Sequence, residues 1–177
     1  MKTNSKYETI LLQQNGWVPN NPDKPVLLYR DVLPDASDAA TAAEELFVES
    51  GWQPQWRDVV FRFHHYHTTA HEVLGCVAGH ASIMLGGEDG TIVELRKGDA
   101  VLLPAGVGHA QISASDDFLL VGAYPPGQQW DLCRTSASEA DLARIRLLPF
   151  PLSDPVFGKS GPMTWIWKVP ASREPTA

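Results

Sequence analysis

The stretch Phe61–Gly79, FRFHHYHTTAHEVLGCVAG, holds four of the chain's six histidines and one carboxylate, Glu72. Histidines cluster at a cost, because imidazoles repel one another when protonated and each buried ring needs polar partners. On an extended strand, residues i and i+2 share a face. Phe61, Phe63, His65 and His67 therefore fall on one side, and Arg62, His64 and Tyr66 on the other. Such a face, apolar at one end and chemically equipped at the other, suits a strand entering a barrel interior. Thr68-Thr69-Ala70 then turns the chain, and a second strand begins near His71. His71 and Glu72 are adjacent and face opposite ways, so only one of them joins His65 and His67 directly. Two imidazoles and a carboxylate are a common ligand set for a divalent transition metal.

Outward from this stretch, the chain reads as short strands. DVVFRFHHYH, HEVLGCVAGHASIML, TIVEL, AVLLPA, HAQISA and DFLLVGAY are strand candidates, separated by GGEDG, RKGD and SASDD. Gly, Asp and Ser in those separators are turn residues. Many strands at short spacing without intervening helices predict an antiparallel sandwich or barrel, an all-β fold. GGEDG has no helix after it and reads as a hairpin turn, not a phosphate loop.

Before the barrel, TILLQQNGWVPNN and PVLLYRDVL read as two strands around a turn. SDAATAAEELFVES is the one long helix, capped by Ser37 or Asp38 and stopped by Gly51. After the barrel, SEADLARIRLL reads as a short helix, PFPLSDPVFGKSGP as an irregular loop and MTWIWKV as a terminal strand. No repeat or linker divides the chain. The reading is one domain over 1–177, with N-terminal strands and helix (1–56), a motif-bearing core (57–132) and a C-terminal extension (133–177).

The 177 residues carry 21 acidic against 14 basic side chains, a formal net charge of −7. That balance excludes a polyanion such as nucleic acid as the expected partner. No apolar run approaches the roughly 20 residues of a membrane span. The first residues lack the apolar core of a signal peptide, and Cys76 and Cys133 form no CxxC pair. A cytoplasmic protein without disulfides is the expectation.

A second stretch completes the first. GDAVLLPAGVGH starts at Gly98, breaks at Pro104-Ala105-Gly106 and ends on His109. Proline fixes φ and glycine permits a tight reversal, so His109 stands at a well-determined position, as a metal ligand must. HYHTTAHEVLGCVAG has the spacing HxH-x4-E-x6-G, and GDAVLLPAGVGH has G-x5-PxG-x2-H. In that order the two resemble the paired signature motifs of the cupin superfamily. The resemblance covers about half the chain, Phe61 to Tyr124. The phrasing around it, including SDDFLLVGAYPPGQ and DPVFG, resembles the YjlB-like bacterial cupins. Ser113 departs from the pattern, in which the second motif commonly ends in Asn.

The resemblance implies a jelly-roll barrel (a double-stranded β-helix) with one N-terminal helix and a short helical C-terminal segment. It implies one divalent transition metal, Fe, Mn, Ni, Cu or Zn, held by His65, His67, Glu72 and His109. A bulge in the Thr68–Ala70 turn would instead bring His71 to the metal, because a one-residue slip exchanges a strand's faces. Three neutral imidazoles and a carboxylate would leave a net charge of about +1 and, in octahedral geometry, about two open positions. By parity the pocket wall is Phe61, Phe63, Leu74, Cys76, Phe118 and Leu120, with Gln111 and Tyr124 as polar members. No Arg or Lys is placed inside by this reading. The expected function is a metal-dependent enzyme acting on a small molecule, a dioxygenase or an isomerase. The alternative is a non-catalytic module that binds or senses a small molecule through its metal. The apolar terminal strands, with Trp165 and Trp167 on one face, predict a homodimer built on sheet edges.

Overall fold

The structure, a computed structural model, describes residues 6–168. Among these residues nine strands form two antiparallel sheets. They are β1 (Tyr7–Leu12), β2 (Asn21–Tyr29), β3 (Gln53–Asp58), β4 (Glu72–Ala78), β5 (His80–Leu85), β6 (Thr91–Arg96), β7 (Ala100–Leu103), β8 (His109–Ala114) and β9 (Leu119–Tyr124). The larger sheet has the order β1-β2-β7-β4-β9-β3, and the smaller one β6-β5-β8. Three helices accompany them, α1 (Ala39–Glu49), α2 (Glu139–Leu147) and α3 (Met163–Ile166). No helix among the described residues is long and apolar enough to cross a membrane. The fold is the all-β barrel expected from the strand pattern, with the jelly-roll form that the resemblance implies.

The larger sheet is covered on both faces. Leu74, Cys76, Val101, Leu103 and Leu120 face the smaller sheet and meet Ile83, Leu85, Val93 and Leu95 in the barrel interior. Val73, Leu102, Val121 and Ala123 point the other way, against Ala43 and Phe47 of α1 and against Met163 and Trp167. Double coverage explains why β4 and β7 are nearly continuous apolar runs instead of alternating ones. Asp38 is the residue that caps α1, with its carboxylate accepting from the Thr41 backbone N–H at 3.1 Å. The candidate HEVLGCVAGHASIML is two strands, broken at Gly79, whose φ of +64° suits glycine.

Two sequence expectations are overturned. DVVFRFHHYH is not a strand: β3 stops at Asp58, and the chain from Val59 to His71 makes only isolated bridges, His65 to His109 and Tyr66 to Cys133. Its hydrogen bonds go in turn to β8 and to the loop that follows β9, so no continuous ladder forms. MTWIWKV is not a strand either, since α3 occupies Met163–Ile166. Burial there follows a spacing of four residues, not two. Met163 and Trp167 are buried while Trp165 is exposed, so the two tryptophans do not share a face. The Trp167 indole donates to the Pro25 carbonyl at 2.8 Å, closing the outer layer over β2.

Candidate metal centre

His109 is the first residue of β8, and its backbone exchanges hydrogen bonds with His65 at 3.0 and 3.3 Å. This bridge carries the irregular 59–71 segment onto the smaller sheet and brings the two rings to 4.1 Å between centroids, their planes tilted by 55°. The turn at Pro104–Gly106 is pinned to the same segment, because the Gly106 N–H donates to the His67 carbonyl at 2.8 Å. Gly106 has φ +93°, and a Cβ there would stand 2.5 Å from the Asn20 carbonyl oxygen. Glycine is therefore required for the turn that sets His109 in place.

All three imidazoles are oriented in the same way. Nδ1 of His65 bonds the Phe63 carbonyl at 3.1 Å, Nδ1 of His109 bonds the Val107 carbonyl at 3.0 Å, and Nδ1 of His67 bonds the Asp131 carbonyl. A carbonyl can only accept, so each Nδ1 carries the proton and each Nε2 keeps a lone pair. One ligand atom from each of the three rings lies within 4.8 Å of the others, and all three residues are buried. Glu72 opens β4 with its side chain on the barrel-facing side. Its Oε2 is 3.5 Å from His67 Nε2 and 3.3 Å from His109 Nε2, yet it has no hydrogen-bond partner. A buried carboxylate oxygen left without a partner is costly unless a cation completes it. Two donor atoms at right angles around one ion, each about 2.1 Å from it, lie about 3.0 Å apart. The spacing and the orphaned oxygen together fit a divalent cation.

Burial acts to raise the Glu72 pKa, but His67 and His109 outweigh it and hold the carboxyl well below its ordinary value. Burial acts to lower the His67 pKa, and Glu72 reverses the effect and raises it. Burial, with His109 adding to it, pushes His65 down to about 3, which keeps that ring neutral as a ligand must be.

His71 stands apart from the cluster. It is fully buried on the outer side of the larger sheet, 5.0 Å from the Trp167 ring, and its Nδ1 accepts from the Ala105 N–H at 2.9 Å. Glu72, not His71, is the residue aimed at the three imidazoles. His64 is half-buried.

A cavity of about 420 Å³ opens over the cluster. Of the expected wall, Phe61, Leu74 and Tyr124 line it together with the four clustered residues. Phe63, Gln111, Phe118 and Leu120 do not. Phe63 stacks on Phe61 at 4.8 Å and lies outside, under the Arg134 guanidinium. Phe118, Leu120 and Cys76 are packed in the barrel interior. Gln111 is buried and donates its backbone N–H to the Phe61 carbonyl. The rest of the wall comes from residues that the strand parity missed: Trp56, Asp58, Val59, Val60, Arg62 and Trp130. Five of these six lie where β3 ends and the chain leaves regular structure, so no periodicity marks them. Arg62, which the strand reading put on the opposite face from the imidazoles, brings a basic side chain to the wall. Trp130 follows β9 in the loop PPGQQWD and rests 5.6 Å from His67. Asp131 next to it accepts from the Thr68 backbone and hydroxyl, so one loop both supplies a wall and braces the metal segment.

The sequence profile described as Cupin matches residues 61–129. The chain belongs to the cupin family. It is 39% identical over 162 residues to the uncharacterised protein YjlB of Bacillus subtilis (strain 168), covering 90% of this chain and 96% of that one. Among solved structures, a DUF861 family protein from Thermotoga maritima is 23% identical over 55% of this chain and 96% of its own, with a TM-score of 0.36. A double-stranded β-helix protein from Klebsiella pneumoniae is 15% identical over 76% of this chain and 90% of its own, with a TM-score of 0.35.

Proposed function

We propose that this cupin is a metal-dependent enzyme acting on a small, largely apolar molecule, of dioxygenase or isomerase type. The observation that carries the reading is the placement of Glu72 Oε2 and three Nε2 lone pairs at the floor of an open pocket. His65, His67, Glu72 and His109 would hold the ion, iron, manganese, nickel, copper or zinc by their nitrogen and oxygen donors. The ion would supply Lewis acidity and positions for the donor atoms of a substrate or for dioxygen.

The chain's own residues do the rest. Trp56, Phe61 and Trp130 offer flat apolar surfaces to the body of the ligand. Arg62 lines the mouth and has no ion-pair partner among the described residues, so an acidic group on the ligand meets a counter-charge there. The Tyr124 hydroxyl lies beside Glu72 and is the nearest candidate to hold a proton.

Metal analysis of protein purified without added metal tests the centre, and about one ion per chain is expected. Oxygen uptake with small thiols, diketones and phenolic acids then tests turnover. A protein that binds none of the five metals would overturn the reading. One that binds metal and ligand without turnover would be the non-catalytic module instead.

A further inference from the structure

We infer that Tyr124 is a positioning residue that confines Glu72 to one metal-binding oxygen and so keeps a side of the ion open toward the pocket. The inference rests on the reading that Glu72 and the three histidines hold a metal. Tyr124 ends β9 and is buried, with its hydroxyl 2.5 Å from Glu72 Oε1. The Tyr124 hydroxyl oxygen itself accepts from the Trp56 indole N–H at 2.7 Å. An indole N–H can only donate, so the one hydroxyl proton is directed to Glu72. The two carboxylate oxygens therefore have different surroundings. Oε1 is engaged by Tyr124, and Oε2 faces His67 and His109 without a partner.

For Glu72 to grip an ion with both oxygens, the carboxylate would have to swing Oε1 from the Tyr124 hydroxyl toward the imidazoles, stretching the hydrogen bond that now holds it. The Trp56–Tyr124 pair makes that rotation unfavourable. Trp56 is itself held in register, because it pairs with Gly122 across β3 and β9 and its indole lies against the bare backbone there. A carboxylate held to one oxygen leaves one more position for a ligand entering from the cavity that Trp56 and Tyr124 both line.

The test loads wild type, Tyr124→Phe and Trp56→Phe with Co(II) and with Zn(II). Zn(II) affinity is read by competition with a chelator, and Co(II) coordination by visible and X-ray absorption. For Tyr124→Phe we expect a 10- to 100-fold loss of affinity, the usual effect of removing a group that orients a ligand. We also expect an altered Co(II) spectrum with one additional carboxylate oxygen bound. Trp56→Phe should change both in the same direction, by less. A wild type that binds Co(II), with an unchanged spectrum and unchanged affinity in Tyr124→Phe, would overturn the inference and leave the metal centre standing. A wild type that binds neither ion would remove the centre and the inference together. Should Tyr124→Phe fail to fold, Trp56→Phe decides: a spectrum and affinity like wild type overturn the inference.

Discussion

Among single residues, His71 and its neighbour Glu72 show how one strand separates structure from chemistry. Glu72 opens β4 and His71 immediately precedes it, and their side chains point opposite ways, His71 toward Trp167 and Glu72 toward the imidazole cluster. His71→Ala should therefore retain most bound metal, while His67→Ala and His109→Ala should lose it sharply. Metal analysis of the three variants checks this, and equal losses would contradict the register. A second prediction concerns pH. Burial, assisted by Lys24, pushes His71 down to about 3. Between the ordinary histidine value near 6.5 and about 3, the unfolded chain binds a proton at this site that the native chain does not. Stability should therefore fall as pH falls through that window, by about 1.4 kcal/mol per pH unit per such group. His65 adds to the same slope. His67 acts oppositely: with its pKa raised, its contribution is present at low pH and is lost as pH rises through the folded value. Urea unfolding of metal-free protein from pH 6.5 to 4.5 should show the decline, and His71→Gln should make it shallower. An unchanged slope would mean that His71 titrates as an ordinary histidine.

Among the elements, the two faces of the larger sheet can be perturbed separately through two glycines. Gly75 of β4 faces α1, where an added Cβ would stand 2.9 Å from the Phe47 ring and 3.1 Å from Leu33. Gly122 of β9 lies under Trp56, and a Cβ there would overlap the indole. Each replacement by Ala overpacks its layer and should cost about 1–3 kcal/mol in denaturant unfolding. Only Gly122→Ala should also weaken Zn(II) binding, because only Trp56 is connected through Tyr124 to Glu72. Equal effects on metal binding would show that the two faces are not independent. The irregular 59–71 segment is the element least readable from sequence. Its apolar-polar alternation satisfies a strand template, but its hydrogen-bond partners are a β8 bridge on one side and Asp131 and Cys133 on the other. Those partners lie more than forty residues away, so no local pattern could announce them.

For the whole molecule, we propose a homodimer, now through β1 and not through a C-terminal strand. Trp167 is buried within its own chain, so its indole needs no partner to cover it. From Glu8 to Leu12, β1 pairs with β2 alone among the described residues, and Leu11 is exposed on it. An exposed strand edge with apolar side chains is a ready surface for a second copy. Light scattering should give about twice the 19.4 kDa of one chain. Leu11→Lys should shift the protein toward monomer, and a monomeric wild type would overturn the proposal.

The sequence alone determined the barrel, because alternation and turn residues act over a few positions and fix strands locally. The resemblance of its two motifs to the cupin signatures brought His65, His67, Glu72 and His109 into one hypothesis, with His71 left as the alternative to Glu72. Tertiary structure alone decided which residues wall the cavity. Phe118 and Leu120 have the parity of wall residues but are covered by the smaller sheet, whereas Trp56, Arg62 and Trp130 reach the cavity from the end of a strand and from loops. It alone decided the C-terminal segment as well. Trp-Ile-Trp suits a strand by period two, but burial of Met163 and Trp167 against β2 and α1 rewards a spacing of four. Local propensity fixes how a segment can bend, and only the surface awaiting it decides which of its side chains are buried.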